Sequence, residues 1–116
     1  MRIAVCSSNG VMVDEPFGFA TYFYIYETER NALELKGMRL ICRLNEVVRL
    51  SDGEKFRRAF ELIRDCGFLF TGAIEPEVRR WLEAKKLTVV TGHRHIAELG
   101  SVIKEFKKKE LLCAVA

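Results

Sequence analysis

Apolar residues recur in two rhythms along this chain: strand-like up to about residue 42, then alternately helical and strand-like. Arg2 to Cys6 is a short apolar run of the kind buried on both faces of a sheet, and it stops at polar Ser7, Ser8, Asn9 and Gly10. Asn9-Gly10 is a strong turn dipeptide. After Val11 to Val13 and the loop Asp14 to Gly18, Thr21 to Tyr26 sets Tyr22, Tyr24 and Tyr26 against Phe23 and Ile25, the period-two pattern of a strand. A turn at Glu29 to Asn31 leads into a second long strand, Ala32 to Cys42, with Gly37 as a bulge or bend. These two strands should form a hairpin, with the tyrosines covering a sheet face under a helix or, alternatively, forming an interaction surface.

Ser51 and Glu54 then have capping-box spacing, and Phe56, Phe60 and Ile63 share a helical face, which predicts a helix over 52–65. Phe68 to Thr71 reads as a strand. Pro76 suits the first turn of a helix carrying Val78 and Leu82, and Leu87 to Thr91 reads as another strand. Ile96, Leu99, Ile103 and Phe106 define a last helix, with Lys104, Lys107, Lys108 and Lys109 in its final turns, where cations suit the negative helix end. An apolar tail, 110–116, closes the chain. Three strands followed by alternating helix and strand imply an α/β fold in which the later strands are joined by right-handed crossovers.

Composition narrows the class. With 116 residues, 49% hydrophobic and 30% charged, the chain fits a single domain, 1–116, able to bury its own core. Nineteen Lys and Arg against 16 Asp and Glu give a formal charge of +3, short of the basic footprint of a nucleic-acid binder. No stretch approaches the roughly 20 apolar residues of a membrane span. The expected location is cytoplasmic, with no nucleic acid and no membrane as partner. Cys6, Cys42, Cys66 and Cys113 are widely spaced and expected to be reduced.

Ligands of open α/β sheets sit beyond the carboxyl ends of the parallel strands. That rule gathers Cys6 to Gly10, Asp14 to Gly18, Thr71 to Pro76 and Thr91 to His95 into one crevice. His93 and His95 are the only histidines, and two residues apart in extended chain they would point the same way and could chelate one ion. Each also reads as a polar loop residue or helix starter. Cys6 could be a soft ligand, or a small buried residue that ends a core strand. Asp14 and Glu15, being adjacent, point to opposite sides and make a poor acid-base pair. No catalytic residue emerges, and the first strand lacks the carboxylate of a two-metal nuclease.

Two segments, MRIAVCSSNGVMVDEPFGFATYFYIYE at residues 1–27 and DCGFLFTGAIEP at residues 65–76, resemble the dinitrogenase iron-molybdenum cofactor biosynthesis family, with its NifX-like and NafY-like proteins. The resemblance covers residues 1 to about 108. It implies a ribonuclease H-like fold, a five-stranded mixed sheet of order 3-2-1-4-5 flanked by three helices. It also implies a non-enzymatic carrier of an iron-sulfur or iron-molybdenum cluster that exchanges its cargo with a donor or acceptor protein. On this reading Cys6, His93 and His95 are the metal ligands. Gly10, Asp14, Phe17, Gly18 and Gly72 line the cofactor, with the N–H groups of Gly10, Gly18 and Gly72 and the helix start at Pro76 facing its negative charge. One departure stands out: where the family's Asp-Glu-x-Phe-Gly loop most often carries a ligating histidine, this chain has Pro16, which offers no ligand atom. A cluster-free interaction or regulatory module on the same fold is therefore the alternative. Homo-oligomerisation through the C-terminal tail is a further expectation.

Overall fold

The computed structural model describes the backbone of residues 1–30, 32–41 and 52–115, and the side chains of these except 52 and 110–115. The first apolar run forms β1 (Arg2–Val5), the central strand of a five-stranded mixed sheet. It pairs antiparallel with β3 (Tyr22–Glu29), which pairs antiparallel with β4 (Ala32–Leu40). On its other side β1 runs parallel to β5 (Cys66–Thr71), and β5 parallel to β6 (Thr88–Thr91). The order is β4-β3-β1-β5-β6. A separate two-stranded ladder joins β2 (Met12–Val13) to β7 (Arg94–His95). Three helices complete the domain, α1 (Asp52–Leu62), α2 (Pro76–Ala84) and α3 (Leu99–Val115). No described helix is long and apolar enough to cross a membrane.

Alternation along each strand divides the core in two. Ala4, Cys6, Phe23, Ile25, Leu69 and Val89 pack on one face with Ala59, Ile63 and Leu82 of the α1-α2 layer. Ile3, Val5, Tyr26, Phe68, Phe70 and Val90 pack on the other against Leu99 and Ile103 of α3. Both faces of β1 are thus dry, which explains an unbroken apolar run rather than an alternating one. Each fully buried Ile, Leu or Phe contributes about 1.5–3 kcal/mol by leaving water. Tyr24 packs against the α3 side with Tyr26, so these tyrosines do cover a sheet face beneath a helix.

Several boundaries differ from those expected. Helix α1 stops at Leu62 instead of reaching Asp65, because the chain tightens there: Ile63 N donates to Phe60 O at 3.1 Å and Cys66 N to Ile63 O at 3.0 Å. Strand β5 begins at Cys66, earlier than Phe68, through its pairing with Arg2. The last helix starts at Leu99, after a 3₁₀ turn Ile96–Glu98. Residues 111–115, expected as a tail, continue α3, while their side chains, and with them the proposed association through 110–116, lie outside the described residues. The expected Ser51 cap, Cys42 and Asn31 also lie outside them.

Asp65 holds this corner together. Arg39 donates to its two carboxylate oxygens at 2.6 and 3.0 Å and Arg2 donates at 2.7 Å, which joins β4, the α1-β5 turn and β1. Hydrogen bonding from Arg39, reinforced by Arg2, holds the Asp65 carboxyl well below its ordinary range. A depressed carboxylate gives stability that is full above the unfolded-state value of 3.8 and is lost as pH falls below it. Since all three side chains are partly exposed, Asp65→Asn should cost about 1 kcal/mol at neutral pH. Urea unfolding should show that the deficit shrinks towards pH 3, whereas a pH-independent deficit would contradict the ion-pair account.

Candidate functional site

The carboxyl ends of β1, β5 and β6 open onto a loop whose backbone is fastened largely by its own polar side chains. Ser7 Oγ accepts from Gly10 N at 2.9 Å, and Asn9 Oδ1 accepts from Val11 N and Met12 N at 2.9 and 3.0 Å. Gly10 takes φ 76°, a left-handed conformation that suits glycine. The chain then turns back, and Asp14 accepts from Ser8 N at 2.8 Å and Ser8 Oγ at 2.6 Å. These Ser8 bonds, with a smaller attraction from His93, hold Asp14 below its ordinary value. Residues 14–17 next run alongside the end of β5. Gly72 N and Thr71 Oγ1 donate to Glu15 O, Phe17 N donates to Ala73 O at 2.9 Å, and Pro16 forms a parallel bridge with Ala73.

Gly72 is the tightest point of the crevice. A Cβ at this position would lie 2.7 Å from the Asp14 carbonyl oxygen and 3.2 Å from His93 Nε2. Asp14, Gly72 and His93 therefore meet, and His93 is exposed at the mouth. His95 is also exposed, on β7 opposite Met12. Ile96 N donates to Val11 O at 2.8 Å, which with the β2-β7 ladder ties the histidine segment to the first loop. Neither this ladder nor its role in placing both histidines was legible in two-residue strands.

Other expected site residues are placed differently. Cys6 has 0% exposure and belongs to the core cluster that includes Phe17 and Phe23. Burial pushes its thiol up to about 12, against a smaller opposing effect from the Thr71 hydroxyl, so it is a neutral thiol rather than a thiolate ready to ligate. Phe17 is a core residue, stacked on Phe56 at 5.7 Å. The N–H groups expected to face a ligand at Gly10 and Gly72 already donate to Ser7 Oγ and Glu15 O. Gly18 is exposed, and its carbonyl accepts from Nζ of Lys55, a lysine only 4% exposed that helical spacing did not single out. Among the described residues, no group of three or more His, Cys, Asp or Glu side chains could hold a metal ion.

Beside the crevice, Ser7, Ser8, Glu15, Phe19, Ala20, Thr21 and Tyr22 line a hollow of about 250 Å³. Two larger clefts, of about 490 and 430 Å³, run along α1. We place the candidate site at the strand ends despite their size, because those clefts contain neither histidine.

Two measurements check this arrangement. Gly72→Ala should destabilise the protein by about 1–3 kcal/mol, because the new methyl meets backbone that is pinned on both sides; an unchanged melting temperature would contradict that close approach. Alkylation followed by peptide mapping should leave Cys6 unmodified in the folded protein and modify it in urea, whereas rapid native labelling would contradict its burial.

Comparison with known proteins bears on what such a crevice serves. No curated protein matches the chain. A solved structure described as the crystal structure of PH0822 superposes with a TM-score of 0.59 at 19% sequence identity, covering 89% of this chain and 89% of that one. It shares the fold. The sequence profile of the dinitrogenase iron-molybdenum cofactor family matches residues 1–109, nearly the whole length. The chain belongs to the dinitrogenase iron-molybdenum cofactor family.

Proposed function

We propose that this protein is a non-enzymatic carrier that holds an iron-sulfur or iron-molybdenum cluster at the crevice, taking it from a donor protein and passing it to an acceptor. Membership of the family over residues 1–109 carries the reading. The strand order, with helical layers on both sheet faces, supports assigning the fold to the ribonuclease H-like class. The cluster is cargo, and the reading places the protein in the cytoplasm.

The donor set fits a light grip better than a cage. His93 and His95 are exposed imidazoles on the segment that the β2-β7 ladder ties to the first loop, and borderline nitrogen ligands suit iron. Asp14 is committed to Ser8, while Cys6 is sealed beneath the loop. A cluster that brings its own sulfides needs few protein ligands, and a carrier must also release it. Pro16 supports a second reading, a cluster-free interaction module, because it stands in the binding loop without a ligand atom.

Anaerobic reconstitution with iron and sulfide separates the two. The carrier reading expects a coloured protein, with His93→Ala and His95→Ala each weakening cluster retention on the order of tenfold or more. A colourless chain that retains no iron, or retention indifferent to both substitutions, overturns it.

A further inference from the structure

Strand β4 is an edge strand nine residues long, and the described sheet has a neighbour for it on one side only. Its register with β3 sets Leu40 opposite Tyr22, Met38 opposite Tyr24, Leu35 opposite Tyr26 and Leu33 opposite Thr28. Cross-strand partners share a face. Leu33, Leu35, Met38 and Leu40 thus form one apolar row on the α3 side. The α3 layer packs over Ile3, Val5, Phe68, Phe70 and Val90 and reaches Tyr26, but it leaves Leu35, Met38 and Leu40 at 52%, 54% and 58% exposure. No other described element covers them. Polar Glu34 and Arg39 lie on the opposite face, paired with Glu27 and Phe23.

An exposed apolar edge of this length is ordinarily blunted or occupied. We propose that a second copy of this chain occupies it, pairing β4 antiparallel with β4 about a two-fold axis so that the two sheets join into one. The strand is self-complementary in that arrangement. With Leu35 opposite Met38 of the second copy, Leu33 falls opposite Leu40 and Glu34 opposite Arg39. Apolar residues then meet on one face; on the other, Glu34 approaches an Arg39 that keeps its two hydrogen bonds to Asp65, so the apolar row carries the pairing. Glu34 is 72% exposed and pairs with Lys36 at 3.2 Å, an exposed contact that leaves its carboxylate within reach of a second copy.

The bulge makes this register work. The β3-β4 pairing slips between Ile25 and Tyr26, leaving Lys36 as the extra residue beside Gly37 at φ 155°. Without that residue, Leu35 and Met38, three apart, would lie on opposite faces. Two bulges at the two-fold axis keep both apolar rows on the same side. An isologous contact of this kind closes after two subunits.

Sedimentation velocity across a dilution series tests the pairing with Leu35→Glu, Met38→Arg and the double variant, all at exposed positions. The wild type should dimerise. Each single variant sets a charge against an apolar partner and should weaken the dimer roughly tenfold or more. The double variant sets the new carboxylate at position 35 against the new guanidinium at position 38 of the other copy, once on each side of the axis, and should recover most of the affinity. A monomeric wild type overturns the proposal and leaves the edge to a foreign strand. A dimer insensitive to both single variants, or a double variant no better than they are, overturns this register. None of these outcomes depends on whether the crevice holds a cluster.

Discussion

A strand that is dry on both faces has no water to satisfy its backbone, so every interior N–H and C=O of β1 must find a partner within the sheet. That requirement organises the molecule. Antiparallel β3 on one flank and parallel β5 on the other supply the partners, and the need for β5 to run parallel forces a crossover through α1. The same crossover logic places α2 before β6. The carboxyl ends of β1, β5 and β6 then fall at one edge, where the loops have to change direction. The crevice is a consequence of how the central strand is hydrogen-bonded.

The crevice itself is built by close packing of main chain. Thr71 and Gly72 donate to a carbonyl of the first loop, and Gly72 has no side chain because the Asp14 backbone and the His93 ring occupy the space. Beneath this layer the aromatic stack of Phe17 with Phe56 and Phe23 supports the loop from the core. The His93 ring meets this layer at Gly72, and the thiol of Cys6 lies buried beneath it.

Much of the architecture could be read directly from residue order. The double-sided burial of β1 appears as an unbroken apolar run, the hairpin as alternating tyrosines, and α2 as Pro76 followed by spaced apolar residues. The site was less legible because its geometry depends on contacts distant in sequence. Nothing local to Met12 and Val13 announces a ladder with Arg94 and His95. Nothing near Gly10 or Gly72 reveals that their N–H groups are already used. Asp65 looked like the last turn of a helix, until two arginines from different strands determined its position. Cys6 suited both a ligand and a core residue by its place at the end of β1, and the loop folded over it decides for the core.

The mooring of residues 14–17 along β5 employs the carbonyl of Glu15 and the amide of Phe17, atoms that nearly any residue would supply, and it asks nothing of the side chain between them. A substitution at position 16 therefore leaves the bonds that moor the loop in place, and the course of the chain along β5 is set independently of the side chain it carries there.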